Sequence, residues 1–273
     1  MSITGKDPNH RSYTSMPLSQ ILVRLNPDVP PTGSDLGIVN AARRSYGKRS
    51  ETLTDGDVSL LRFLARGMSA ADYDAFMNEV AGTVCTDDAT LSVDREALSD
   101  LMWHFRNTPC HDTPINHGFF SFEVKAPIFV RAQLVKHEYL ILSEFSRRYI
   151  TDDVEFYMHD YRNAAKNKKQ GSHGEHRKNG PWQDAVLAAN MRQINRYKEM
   201  IADGVAPEQA RGVLPQDLMT AWTWSGTFGA FAKMCQLRLH PEAQVETRYV
   251  AEQVYAFMEE QFPVSAPLFV HGA

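Results

Sequence analysis

Between residues 34 and 105 the apolar positions recur at helical spacing. One helix is expected over 36–46, with Ser34 or Asp35 as its N-cap, and a second over 57–66. Ser69-Ala-Ala-Asp72 has the form of a capping box ahead of a third helix reaching about Val80, and residues 94–105 read as a fourth. The period then changes. Phe120, Phe122 and Val124 alternate with Ser121 and Glu123, which predicts a strand, and Pro127 fits the first turn of a helix carrying 128–137. Residues 143–153 look irregular, and 155–158 suit a short strand. Helical spacing returns over 182–200 and over 207–212, where Pro215 stops it. The aromatic run 218–224 suits a central strand, and 228–239 and 242–262 close the chain as helices. Long helices around a few separated strands predict an α+β fold.

Residues 1–33, with Pro8, Pro17, Pro27, Pro30, Pro31 and Gly33, predict an extended, loosely structured lead-in. A single domain over 34–273 is expected to follow it. The stretch 162–178 holds six Lys or Arg against one acidic residue, Glu175, and contains Gly171 and Gly174. An exposed, solvated loop is the plain expectation there, and a phosphate-gating loop the alternative.

Charge narrows the choice of partner. With 29 Lys and Arg against 33 Asp and Glu the net charge is −4, so no global basic field draws the chain to nucleic acid. A few local arginines can still hold a small anion. Cys85, Cys110 and Cys235 are widely spaced and lack both disulfide-framework and zinc-ligand spacing, which fits a reducing cytoplasm. Residues 1–13 have no apolar signal core, and no run approaches the roughly 20 apolar residues of a membrane span.

Chemistry concentrates in Gln133-Leu-Val-Lys-His-Glu-Tyr-Leu-Ile-Leu-Ser-Glu-Phe-Ser-Arg-Arg-Tyr149. If the preceding helix runs through His137, then Gln133, Lys136 and His137 share one face. The frame Lys136-His137-Glu138, seven residues, Ser146 resembles the Arg-His-Arg, seven residues, Ser signature of the flavin-dependent thymidylate synthases. Other segments follow that family in order: Val39-Asn-Ala-Ala-Arg-Arg-Ser45, Thr113-Pro114 with His117, Phe122 to Val130, Ala210-Arg211-Gly-Val-Leu-Pro215, and Leu237-Arg238-Leu239. The resemblance spans residues 36–262, with insertions near 47–95 and 162–180.

The resemblance implies a central, mainly antiparallel sheet surrounded by long helices, and a homotetramer with shared active sites. It implies conversion of dUMP to dTMP with FAD, NADPH and methylenetetrahydrofolate. On the nucleotide side, Arg148 and Arg211 would hold the phosphate, helped by Ser146 and Arg147. Glu144 would accept from the deoxyribose and Gln133 would contact the nucleotide. Arg238 would lie against the pyrimidine and act in catalysis by stabilising charge that develops there. On the flavin side stand Ser45, His111, Thr113, Lys136, His137, Glu138, Thr227 and Lys233. Four of these depart from the family: Lys136 and Glu138 replace the two signature arginines, and Thr227 and Lys233 stand where the family has asparagines. The departures motivate two alternatives, a dUMP or dCMP hydroxymethyltransferase and a non-catalytic nucleotide-binding homologue. Ser146 has no Ser-His-acid grouping to make it a nucleophile, and Cys235 sits in an apolar helical pattern as core.

Overall fold

A computed structural model describes residues 18–65, 113–149, 151, 154–165 and 171–271. Within them the chain runs β1 (Leu22–Leu25), α1 (Asp35–Arg43), α2 (Asp55–Ala65), β2 (Phe119–Pro127), α3 (Ile128–Leu134) and β3 (Leu140–Glu144). A small hairpin of β4 (Arg162–Ala164) and β5 (Ser172–Glu175) follows, then α4 (Asn179–Ala202), the one-turn α5 (Pro207–Ala210), β6 (Met219–Thr227), α6 (Phe228–Arg238), α7 (Val245–Gln261) and α8 (Ser265–His271). The α+β expectation holds. Four strands, in the order β1-β2-β6-β3 and antiparallel throughout, form the central sheet.

β2 and β6 pair over their full lengths, from Phe119 against Thr227 to Pro127 against Met219. Each strand passes directly into a helix. Pro127, which has no N–H to give the ladder, ends β2 and serves as N-cap of α3. Thr227 ends β6 and caps α6, its Oγ1 accepting from the Ala230 N–H at 3.3 Å. Because the strands are antiparallel, α3 and α6 leave from opposite ends of one pair.

Alternation along the strands sends Phe120, Phe122, Val124, Trp222 and Trp224 into a core shared with Phe228 and Met234 of α6 and Val250, Val254 and Met258 of α7. Phe231 is the hub of this core. Its ring meets Phe122 edge-on at 5.0 Å between centroids and Trp224 at 5.2 Å. Asp35 ties the C-terminal end to α1, its carboxylate accepting from the Val264 and Ser265 N–H groups at 2.9 and 2.8 Å.

Several expectations are corrected. The lead-in supplies β1, the edge strand beside β2, so its later part is not loose. The helix expected over 128–137 stops at Leu134, so Gln133, Lys136 and His137 do not share a helical face. Tyr139 adopts a left-handed φ of 63° and turns the chain into β3. That return needs Gly226, because a Cβ there would lie 3.1 Å from the Tyr139 carbonyl oxygen. Residues 140–144 therefore form a strand, where 143 and 144 looked irregular. Its alternation of Leu140 and Leu142 with Ile141 and Ser143 is too short to stand out from the apolar run around it. The stretch 155–158 makes a single bridge, Phe156 to Leu218, and α8 went unforeseen. The capping box at Ser69 and the helix expected over 94–105 lie outside the described residues.

The basic stretch 162–178 is also more than a solvated loop. Its first residue, Arg162, opens β4 and donates through Nη2 to both Glu246 oxygens, at 2.8 and 3.0 Å. Glu246, in the first turn of α7, is 1% exposed. The hairpin is thus pinned to the body by a part-buried arginine on a fully buried carboxylate. Arg162→Met strands a buried carboxylate and is expected to lower the unfolding free energy by about 3 kcal/mol. Adding Glu246→Leu should recover most of the loss, and urea denaturation of the three proteins checks both outcomes.

Candidate active site

The end of β3 sets up a basic turn. Phe145, just past the strand, still donates to the Ala221 carbonyl at 2.9 Å, so β6 carries the backbone to the point where it turns. The Tyr149 N–H closes the turn on the Ser146 carbonyl at 3.1 Å. Ser146 Oγ accepts from both the backbone N–H and the Nε of Arg148, each at 3.3 Å. The serine therefore shapes the turn and aims Arg148. Arg147 is buried, with its guanidinium carbon 4.8 Å from the Phe145 ring centroid.

Arg211 approaches from the other side. Pro207 opens α5, a turn spanning Arg211–Val213 continues it, and Arg211 Nε donates to the Glu208 carbonyl at 3.3 Å. Glu144, Ser146, Arg147, Arg148 and Arg211 line one cavity of about 370 Å³, with Thr220 beside them and Ile128, Leu214, Leu218 and Met219 as an apolar side. This lies within the ~300–1,000 Å³ range of small-molecule sites. Guanidinium groups in the lining suit a phosphate, and the apolar residues suit a flat ring or a sugar face. Glu144 repels phosphate and is an acceptor for a hydroxyl or N–H.

Two residues expected at the nucleotide stand apart from this cavity. Arg238, at the end of α6, donates through Nε to His137 Nε2 at 2.9 Å and through Nη2 to the Gln133 carbonyl at 3.0 Å. The second bond satisfies a carbonyl in the last turn of α3 with a cation, as a helix C-terminus favours. The Gln133 carboxamide is committed to α7 and its cap, donating to Gln244 Oε1 at 2.6 Å and accepting from Thr247 Oγ1 at 3.2 Å. So α3 separates two clusters, the cavity on one flank and the Arg238–His137 pair at its C-terminus.

The described residues expected on the flavin side are spread over several exposed or part-exposed segments, two of them on or capping α6. Lys136 and Glu138 are exposed and bracket His137 in the turn before β3, and Lys233 is exposed on α6 itself. The hydroxyl of Thr227 is partly spent, donating to Asn116 Oδ1 at 2.6 Å besides capping α6. Thr113 is exposed just ahead of the short helix Pro114–His117, and Ser45 is exposed past the end of α1, its hydroxyl on the Ala42 carbonyl at 3.3 Å. His111 lies outside the described residues.

Sequence reasoning missed two partners of Glu144. Arg131 Nη2 pairs with Oε2 at 2.6 Å and Thr220 Oγ1 donates to Oε1 at 3.0 Å. The available signal was a lone arginine inside the otherwise apolar start of α3.

His137 carries a pH dependence. Burial, and then the positive charge of Arg238, lower its pKa from 6.5 to about 4. The folded chain thus holds a neutral imidazole that accepts from Arg238. Its contribution is complete above pH 6.5 and drains away as pH falls toward 4, because the unfolded chain takes up the proton first. Unfolding temperatures of the wild type are expected to drop more steeply across that window than those of His137→Gln.

The sequence profile of the family described as Thymidylate synthase complementing protein matches residues 29–264. The flavin-dependent thymidylate synthase of Thermus thermophilus is 29% identical over 247 residues, which cover 88% of this chain and 73% of that protein. The flavin-dependent thymidylate synthase of Thermosipho africanus is 30% identical over 166 residues, covering 60% and 73%. Among solved structures, the UMP/dUMP methylase PolB from Streptomyces cacaoi bound with 5-Br dUMP has the same fold, with a TM-score of 0.67 at 24% identity over 92% of this chain and 95% of that one. The family match runs from the lead-in through the cavity to the end of α7, and the chain belongs to the thymidylate synthase complementing proteins, the flavin-dependent family that its signature resembles.

Proposed function

We propose that this protein transfers a one-carbon unit from methylenetetrahydrofolate to the pyrimidine ring of dUMP, giving dTMP, with FAD as flavin and NADPH as reductant. The observation that carries the reading is the convergence of Arg148, Arg211, Ser146 and Glu144 on one cavity in a chain of this family. Arg148 and Arg211 grip the phosphate, Ser146 and Arg147 hold the turn that aims Arg148, and Glu144 accepts from the sugar. Arg238 stabilises negative charge on the activated ring.

Arg238 belongs to the second cluster, so the reading includes a symmetric assembly, a homotetramer, in which one copy's Arg238 and Gln133 complete the cavity of another. Exposed apolar side chains around that cluster support it: Tyr139 is 77%, Ile141 70% and Leu237 64% exposed. Surface of this kind asks for a partner.

The same flank fits a flavin. It offers positive charge at Lys136 and Lys233, a polar turn at Thr227 and apolar surface at Tyr139 and Leu237, and Ser45 and Thr113 are further exposed polar groups assigned to the cofactor in this reading. When bound, the flavin supplies reducing equivalents and the folate the one-carbon unit. His137 stays neutral and orients Arg238. Glu138 puts a carboxylate on this flank, which favours a second reading in which the product, from dUMP or dCMP, is hydroxymethylated. Simple nucleotide binding without turnover is the non-enzymatic outcome.

Mass spectrometry of dUMP incubated with protein, FAD, NADPH and methylenetetrahydrofolate separates the readings. A methylated product is expected; a hydroxymethylated one supports the second reading, and an unchanged nucleotide that still binds supports the third. Arg148→Met and Arg211→Met should each weaken dUMP binding by about tenfold or more, the worth of a charge-assisted hydrogen bond, with the unfolding midpoint nearly unchanged. Titration calorimetry checks this.

A further inference from the structure

Among the described residues Glu144 is the only carboxylate lining the basic cavity, and it is not loosely placed. Arg131 Nη2 reaches its Oε2 at 2.6 Å from α3, and Thr220 Oγ1 reaches its Oε1 at 3.0 Å from β6. Thr220 lines the cavity; Arg131 does not and stands behind the carboxylate. We propose that Arg131 is a positioning residue, fixing Glu144 as the acceptor that reads the sugar hydroxyl of the bound nucleotide. The inference rests on the nucleotide reading above and extends it to a residue outside the cavity.

Three observations favour positioning over a plain structural ion pair. Arg131 Nε is buried and makes no hydrogen bond among the described residues, so the guanidinium reaches Glu144 while leaving another donor unsatisfied. Stability alone does not favour such a placement, since a buried N–H without a partner costs about 1–3 kcal/mol. Next, Glu144 shares its cavity with Arg148 and Arg211, cations that an untethered carboxylate would attract. Holding it from behind with Arg131 leaves those two for an anionic ligand. Last, each oxygen of Glu144 takes one donor from the chain and has a lone pair left for a ligand. Fixed at both oxygens, the carboxylate points that remaining capacity in a set direction. A phosphate monoester offers it nothing, whereas a sugar hydroxyl does.

The test compares two ligands on the full chain by titration calorimetry: dUMP, and its dideoxy analogue lacking the sugar hydroxyl. Inorganic phosphate serves as the probe of the arginine end. Wild type is expected to prefer dUMP by about tenfold or more, as for a hydrogen bond to a charged group. Arg131→Met should reduce that preference to within about twofold while affinity for the analogue and for phosphate stays put, and Arg131→Lys should restore part of it. If Arg131→Met does not fold, Arg131→Gln is read in the same way. Equal loss for both ligands would make Arg131 a merely structural residue and overturn the inference, as would an undiminished preference in the variants. Wild type that binds dUMP without preferring it over the analogue also overturns it and leaves the nucleotide reading standing. Wild type that binds neither nucleotide removes that reading and the inference with it.

Discussion

Nine residue pairs hold β2 against β6, and because each strand becomes a helix at its last residue, the same register decides where α3 and α6 begin. Glu144, Arg131 and Arg238 are placed from there. α3 starts beside the end of the sheet at which β6 begins, which brings Ile128 to the cavity and both Arg131 and Thr220 to Glu144. α6 starts at the opposite end and runs back until Arg238 meets the C-terminus of α3. A shift of one residue in this pairing would turn Phe122 and Trp224 out of the core, so the apolar interior and the polar sites share one constraint.

α3 is the element with two duties. Its flank presents a cation to Glu144, while its last turn presents a carbonyl to Arg238. At seven residues it has too little intrinsic stability to persist alone, and tertiary contacts must hold it. The ion pair on its flank and the Arg238 guanidinium at its C-terminus are among those contacts. Ligand-facing chemistry and local folding are therefore coupled through one short helix.

Much of this was legible in the chain. The alternation of Phe120, Phe122 and Val124 announced β2, the aromatic run around Trp222 announced β6, and Ser34 marked the start of α1, where its Oγ accepts from Gly37 N–H at 3.1 Å. The basic turn from Ser146 to Arg148 and the distant Arg211 were recognisable from their family frame, and they do meet at one cavity. What could not be read was set by long-range contact. Nothing local says that Tyr139 adopts a left-handed backbone, since that conformation is imposed by the pairing of β3 with β6. Nor does the basic composition of 162–178 reveal that Arg162 has a buried carboxylate waiting on α7, more than eighty positions away. The tie between Arg131 and Glu144 was hidden for the same reason.

The bond between Arg238 and His137 has a directional consequence. With Nε held by an imidazole and one Nη2 hydrogen held by a backbone carbonyl, the guanidinium can turn only its remaining N–H edge outward. A planar group clamped on two sides cannot swivel to follow an incoming oxygen. Whatever accepts from it must arrive in its plane and along that edge, so the angle of approach is decided by the protein's own hydrogen bonds.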